Sequence, residues 1–389
     1  MNGVVPVKLN ERINFRSTFI ITGCLLAISG VAAEPVPAEP TSDLMTSVEW
    51  NRLDASVDRA LAFLATTQMS DGSFQAPDLG QPGITSLCVM AFLARGHVPS
   101  EGRYGIQLER AIDFVLSQQQ ENGLLFSLPI GQIWQYGTPS HTGLYNHAIA
   151  GLMLSEVYGM TQHEQQTRIK QAIHLALALT REHQLRPKRN AGDRGGWRYL
   201  GAYTTLKSDA DLSMSSWQLM FLRSARNAEF DVSKEWIDDA MGYVRRSFNP
   251  NLKSFLYCRL PPGDNTTRAI VGSGILSLSL GGEHQTEMAK AAGEWVLEHP
   301  FDDYNRVQSD QERYHYSVYY CSQGMFQLGG NYWARFYPPL MRVLLKNQLA
   351  DGSWPAESHR DQMFGNTYTT SLVVLSLTPP YQLLPIYQR

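Results

Sequence analysis

Thr67-Gln68-Met69-Ser70-Asp71-Gly72-Ser73-Phe74 and Asn347-Gln348-Leu349-Ala350-Asp351-Gly352-Ser353-Trp354 are two copies of one pattern, Q-x-x-D-G-S-aromatic, placed near the two ends of the chain. Each closes an amphipathic helical segment, Val57 to Thr66 in the first case and Leu340 to Lys346 in the second. The parts of the pattern have mechanical roles. Glycine permits a positive φ after a helix end, and Asp or Ser caps the segment that follows. The Gln amide can bind free backbone groups, and the aromatic side chain packs against the neighbouring repeat. The motif therefore reads as a structural turn.

Working outward from these copies, weaker ones occur at Gln118-Gln119-Gln120-Glu121-Asn122-Gly123-Leu124, at Glu182-His183-Gln184 leading to Gly195-Gly196-Trp197, at Ser247-Phe248-Asn249 leading to Phe255, and at His299-Pro300-Phe301. The six copies recur roughly every 50 to 65 residues, a period that suits two helices and their loops. After each turn comes a second segment, more apolar and richer in small residues: Thr85 to Ala94, Asn146 to Val157, Met214 to Ser224, Ala269 to Leu280, Val318 to Leu328 and Thr369 to Leu377. A helix apolar nearly all round is normally buried. Six amphipathic helices alternating with six buried ones predict an all-α fold, an α/α toroid of about six helix pairs with the buried set lining a central barrel.

Length and composition agree. The 389 residues are 43% hydrophobic and 18% charged, enough for a sizeable core. The net charge of −3 comes from acids and bases mixed along the chain, without the basic stripe of a nucleic-acid binder. Residues 1–33 read as an export signal. Lys8, Arg12 and Arg16 lead into the apolar run Phe19 to Val31, and Val31-Ala32-Ala33 offers a cleavage site before Glu34. Ile21-Thr22-Gly23-Cys24 also mimics a lipoprotein box, leaving lipidation at Cys24 as an alternative. Residues 34–49, rich in proline and acid, suit a tether, and the toroid is expected over residues 50–389. The expected location is the periplasm, the cell envelope or the exterior. No later run is long and apolar enough to span a bilayer. Cys88, Cys258 and Cys321 lack metal-site spacing and imply no disulfide framework.

The Q-x-x-D-G-S-W/F repeats resemble the QW motifs of squalene-hopene cyclases, and the helix-pair count resembles the toroid shared by those enzymes and protein prenyltransferase β subunits. Gly195-Gly196-Trp197-Arg198-Tyr199 with Ser216-Trp217-Gln218-Leu219-Met220, and Tyr319-Tyr320 with Gly329-Gly330-Asn331-Tyr332-Trp333, resemble exported bacterial prenyltransferase/squalene-oxidase-repeat proteins. For that group the resemblance implies a fold without a fixed reaction.

The cyclases carry Asp-x-Asp-Asp-Thr after a Gly-Gly-aromatic turn, and the middle Asp protonates the substrate. Here Asp209-Ala210-Asp211-Leu212-Ser213 holds the matching place, so the resemblance puts Asp211 at the acid position with Asp209 as its support. Leu212 removes one carboxyl from the cluster that would strengthen such an acid. The prenyltransferases hold zinc through Asp-x-Cys and a later His. Asp211-Leu212-Ser213 with His315 has serine in place of the thiolate, a poor zinc site, and neither metal nor cofactor is expected.

Other polar candidates are His141, Asn146 and His147 at the start of the second inner helix, where a toroid would point them at its cavity mouth. Tyr314, His315, Tyr316, Tyr319 and Tyr320 form an aromatic cluster near the fifth. Trp197 lies in the Gly-Gly-Trp turn, and Arg268, with Arg198, could meet an anionic group such as a diphosphate. Each has a structural alternative: capping, core packing or a surface salt bridge. Three functional readings stay open. The first is a cavity binding an isoprenoid, lipid or glycan near Trp197, His147, Asp211, Arg268, His315, Tyr316 and Tyr319. The others are a class II cyclase-like enzyme with Asp211 as general acid, and a non-catalytic interaction scaffold.

Overall fold

The computed structural model describes residues 44–129, 138–200, 208–259, 266–358 and 361–388. The segment read as an export signal, and the tether as far as residue 43, lie outside the described residues.

Twelve helices follow in order among the described residues: α1 (Ser47–Thr66), α2 (Gly83–Leu93), α3 (Gly105–Ser117), α4 (Pro139–Val157), α5 (His163–Leu185), α6 (Leu212–Asn227), α7 (Lys234–Arg246), α8 (Arg268–Leu280), α9 (Glu287–Glu298), α10 (Tyr314–Leu328), α11 (Gly330–Lys346) and α12 (Gly365–Leu377). The first begins at Ser47, inside the stretch read as tether. There Thr46 accepts from the Glu49 N–H, and the Glu49 carboxylate accepts from the Thr46 N–H, a reciprocal cap that fixes the start of the helix.

The even-numbered helices form the inner layer. α2 packs on α4, α4 on α6, α6 on α8, α8 on α10, α10 on α12, and α12 returns to α2, closing the ring. Every residue of α2 is buried, as is every residue of α12 from Thr367 onward. The odd-numbered helices bury one stripe each, as Leu53, Val57, Ala60, Leu61 and Leu64 do in α1, and turn the other face to water. The all-α, α/α toroid expected from the repeat is the observed fold.

The repeated turn supplies the joint between layers. The Gln68 amide donates to the carbonyls of Gly72 (3.0 Å) and of Gln107 on α3 (2.8 Å). Gln119 does the same to Gly123 (3.1 Å) and Ala172 on α5 (2.9 Å), and Gln184 to Gly195 (3.1 Å) and Trp236 on α7 (2.9 Å). Gln348 reaches Gly352 (2.8 Å) and Ser56 on α1 (2.9 Å), so the last joint docks on the first helix. Each joint glycine has a positive φ and sits against the next outer helix. A Cβ on Gly352 would come within 2.5 Å of the Arg59 carbonyl oxygen, and one on Gly195 within 2.0 Å of that of Asp239.

The residue after the turn is tied to the inner layer in the same way. Phe74 N–H donates to Thr85 Oγ1 (2.9 Å), Trp197 N–H to Ser215 Oγ (3.0 Å) and Trp354 N–H to Thr370 Oγ1 (3.1 Å). The fourth joint has no Gln and is instead a two-stranded hairpin, β1 (Phe248–Asn249) with β2 (Ser254–Phe255).

Candidate functional site

All six inner helices start on the same side of the ring, and there they surround a cavity of about 560 Å3. Its lining comes from their first turns: Gly83, Ile84 and Leu87 of α2; His141, Tyr145, Asn146 and Ile149 of α4; Ser213 and Trp217 of α6; Ala269 and Ile270 of α8; Tyr316 of α10; Tyr368 and Leu372 of α12. Connecting segments add Leu79, Arg198, Tyr199, Tyr257, Cys258, Arg313, Asp361, Met363 and Phe364.

The polar part of the wall is built around Arg198. Asp211 caps α6, accepting from the Met214 N–H at 2.8 Å, while its other oxygen accepts from Arg198 Nη1 at 2.7 Å. Trp197 and Asp211 pair as extended backbone, the Asp211 N–H donating to the Trp197 carbonyl, which sets the Arg198 side chain beside the carboxylate. The guanidinium lies over the ring of Tyr199 (4.5 Å to its centre) and beside that of Tyr257 (5.1 Å), whose hydroxyls are bonded to each other. Burial pushes the Asp211 carboxyl up from its usual range, and the Arg198 guanidinium opposes that shift. Burial, followed by the guanidiniums of Arg198 and Arg313, holds His141 down at about 4, so it is a neutral imidazole at physiological pH.

A second polar row crosses the inner helices. Tyr145 donates to Ser213 Oγ (3.2 Å), the Ser213 and Tyr316 hydroxyls are 2.8 Å apart, and Trp217 Nε1 donates to the Tyr316 oxygen (2.7 Å). Asn146 is spent on the scaffold: its amide bridges the Gly83 N–H and the carbonyls of Leu79 and Thr142.

Of the residues singled out in the sequence, His141, Asn146, Arg198 and Tyr316 line the cavity. Asp211 stands behind it, fully buried, with both carboxylate oxygens committed, and meets it through Arg198 and Tyr257. Asp209 turns the other way, forming an ion pair with Arg189 at 2.6 Å, so the two acids do not form a pair. Trp197 is buried beneath the cavity lining, its indole donating to the Thr180 carbonyl.

His147 also lies outside the lining. It accepts the Leu125 N–H at 3.3 Å and meets Thr180 Oγ1 at 3.0 Å, filling the place that Thr85, Ser215 and Thr370 fill in other repeats. His315 lies between Tyr304 Oη (2.9 Å) and Glu357 (3.2 Å), and that carboxylate also takes the N–H groups of Tyr314 and His315. Tyr319 stacks behind Trp217 at 5.5 Å and bonds to the Tyr387 hydroxyl. Arg268 is sealed in the wall between α8 and α10. It pairs with Glu312 at 2.8 Å, donates to the carbonyls of Pro300 and Arg306, and covers the ring of Phe301. Among the described residues, no three metal-ligating side chains come together.

The sequence had not singled out Tyr145, Tyr199, Tyr257, Arg313 and Asp361 as candidates. They come from widely separated segments, and Tyr257 and Asp361 belong to no helix, so no periodic signal marks them.

No family model matches the chain, and none of the curated proteins does. Solved structures do. The type II terpene cyclase MstE from Scytonema, in complex with geranylgeranyl dihydroxybenzoate, is 14% identical with a TM-score of 0.54, covering 88% of this chain and 100% of that one. A D-mannose isomerase is 13% identical with a TM-score of 0.59, covering 88% and 99%. The α-1,6-mannanase of Salegentibacter sp. HEL1_6 is 12% identical with a TM-score of 0.58, covering 84% and 98%. The chain thus has the α/α toroid fold, which a type II terpene cyclase, a mannanase, a glycosidase and a sugar isomerase share. At these identities the likeness concerns the fold alone.

Proposed function

We propose that this is an exported binding protein whose toroid cavity takes a ligand with an apolar body, an isoprenoid or another lipid, in preference to a glycan. The observation that carries this reading is the composition of the cavity wall. Leu79, Ile84, Leu87, Ile149, Ile270, Met363, Phe364 and Leu372 face it, and apolar surface makes up most of the wall, with polar side chains such as His141, Arg198, Ser213, Thr267, Arg313 and Asp361 set among it. An apolar pocket with a few convergent polar groups is the ordinary form of a small-molecule site. Export rests on the charged and apolar pattern of residues 1–33.

Chemistry is less favoured than binding. Glycoside hydrolysis uses two carboxylates flanking the scissile bond, whereas the described lining holds one, Asp361, which faces Arg313 at 3.6 Å. Alkene protonation by Asp211 would need a carboxyl that reaches the cavity, and this one is spent on Met214 and Arg198.

Trp217 in the cavity wall provides the readout. Its fluorescence, taken as the difference from a Trp217→Phe variant while the chain lacking residues 1–33 is titrated with geranylgeraniol, palmitate and methyl mannoside, should respond saturably to at least one of the two lipids and not to the sugar. Ile149→Trp, which fills the cavity, should weaken lipid binding by about tenfold or more. Saturable binding of the mannoside with no response to either lipid would reverse the reading.

A further inference from the structure

We propose that the polar end of the ligand is an anion, a carboxylate or a phosphate, seated against Arg198 and the Ser213 and Tyr316 hydroxyls at the mouth of the inner barrel; this rests on the lipid-binding reading above.

Three independent features of the wall favour negative charge. The first is the direction of the helices. The cavity is bounded by the N-terminal turns of α2, α4, α6, α8, α10 and α12; those of α6, α8 and α10 already meet the carboxylates of Asp211, Glu312 and Glu357, and those of α2, α4 and α12 are left to face the volume with their partial positive charge. The outer helices end on the same face, but they lie one layer, about 8 to 10 Å, further out. Helix-end fields fall away within a turn, so the inner set dominates inside the cavity.

The second is an unspent charged donor. Arg198 is nearly buried, with its side chain 12% exposed, and its Nη1 is used by Asp211. Its Nε–H is buried and meets no acceptor among the described residues. That N–H has no accessible surface, so a ligand anion would meet the part of the Arg198 side chain that remains exposed in the lining, as a charge-assisted partner. Asp211 makes Arg198 a positioned donor: it fixes the guanidinium between the rings of Tyr199 and Tyr257.

The third is a proton count. Trp217 Nε1 can only donate, and it donates to Tyr316; Tyr145 donates to Ser213. One of the two protons on Ser213 and Tyr316 makes the bond between them. The other can turn to the cavity or to the Tyr320 hydroxyl beside Tyr316. Tyr145 links this row to the arginine, its ring centre lying 6.4 Å from that of Tyr199. The wall therefore presents donors, from a cation and from a hydroxyl, where the helix fields are positive. His141 adds no positive charge of its own, since burial first, and the two guanidiniums second, keep it neutral. A cationic head group would meet all these features with the wrong sign.

Palmitate, hexadecyl phosphate and palmityl alcohol share one chain and differ in the head, so their affinities for the chain lacking residues 1–33 test the proposal directly. At least one of the anions should bind about tenfold or more tightly than the alcohol, and the tighter anion identifies the head. The double variant Arg198→Gln/Asp211→Asn removes the ion pair without leaving a lone charge. It should bring anions and alcohol to within about threefold of each other, chiefly by weakening the anions. Arg198→Lys keeps the charge and should keep the preference. If circular dichroism shows the double variant unfolded, Arg313→Gln carries the same test and should weaken the anions selectively. Equal binding of alcohol and both anions by the parent chain would overturn the anionic head and leave the lipid-binding reading standing. A preference that survives in a folded double variant would overturn the assignment to Arg198. Failure of all three ligands and of geranylgeraniol to bind would overturn the lipid-binding reading itself.

Discussion

The Gln348 side-chain amide donates to the backbone carbonyl of Ser56 at 2.9 Å, joining the last repeat to the first helix across 292 residues of sequence. The equivalent bonds from Gln68, Gln119 and Gln184 span 39, 53 and 52 residues. Loop-closure entropy grows by about 0.6 kcal/mol per doubling, so the seam opposes roughly 1.5 kcal/mol more than an internal joint does with the same bonds. Gln348→Ala leaves the Ser56 and Gly352 carbonyls without that donor and should lower stability to urea by about 2 kcal/mol. Gln119→Ala should cost a similar amount. Hydrogen exchange should show α1 and α12 opening first in the Gln348 variant; uniform loss of protection would contradict a seam.

The joint glycines separate two effects. Gly352→Ala requires both a left-handed backbone and a Cβ within 2.5 Å of the Arg59 carbonyl oxygen, whereas Gly159, also at positive φ, has open space around it. Gly352→Ala is expected to destabilise by about 3 kcal/mol or more, and Gly159→Ala by about 1 kcal/mol. Thermal melts of the two variants side by side give the comparison.

Asp211 and Asp209 should behave very differently when neutralised. Asp211→Asn keeps a capping oxygen for Met214 but leaves Arg198 without its counter-charge, a loss of roughly 2 to 3 kcal/mol. Asp209 meets Arg189 near the surface, and Asp209→Asn should cost less than about 1 kcal/mol. Equal effects in urea titration would mean that the buried pair is not what holds this wall.

Glu156 gives stability a specific pH dependence. It is buried at the end of α4, accepting from Ser224 and from the Ile386 N–H at 3.2 Å, and burial pushes its carboxyl up from 4.5 to about 7. The unfolded chain loses this proton above pH 4.5 while the folded chain keeps it to about 7. Stability contributed by the group is therefore complete below pH 4.5, is lost as pH rises through that window, and amounts to on the order of 3 kcal/mol. Buried neutral histidines act oppositely: His147, held at about 4 by burial, favours the folded state as pH rises from about 4 towards its unfolded value. The difference between the parent and Glu156→Gln isolates the carboxyl. The variant should be the more stable of the two at pH 8, and the gap should close towards pH 4.

His147 serves as a scaffold acceptor, so His147→Ala should cost about 2 kcal/mol, as the Leu125 N–H loses its partner in the core. It should leave palmitate affinity unchanged. A variant of normal stability with weakened binding would place His147 in the site after all.

The repeat could be read from the chain because both of its signals are local. Gly72 and Gly352 follow their Gln by a fixed four residues, and the apolar runs of α2 and α12 are continuous, so neighbouring residues suffice to see a joint and a buried helix. The cavity has no such signature. Arg198 and His141 were visible as polar residues near a helix start, but what makes them a wall is the approach of Tyr257, Arg313 and Asp361 from other segments. His147 shows the same limit from the other side. Its position at the head of an inner helix suggested a ligand contact, while its true partner, Leu125, lies 22 residues away across a turn. Arg268 also resembled a surface cation until Glu312, 44 residues on, proved to enclose it.

The last residues of the described chain bear on how any ligand moves. Leu384, Ile386 and Tyr387 are buried across the ends of the inner helices remote from the cavity. Ile386 is tied to Glu156, the Tyr387 carbonyl accepts from Gln327, and the Tyr387 hydroxyl meets Tyr319. Behind Trp217 the barrel is thus a blind alley. A chain molecule can be inserted but not threaded, so whatever enters must back out the way it came, and an occupant must leave before the next arrives. Such a chamber measures the length of its guest. On the lipid-binding reading proposed above, it would suit holding or handing over one discrete molecule at a time rather than working along a polymer.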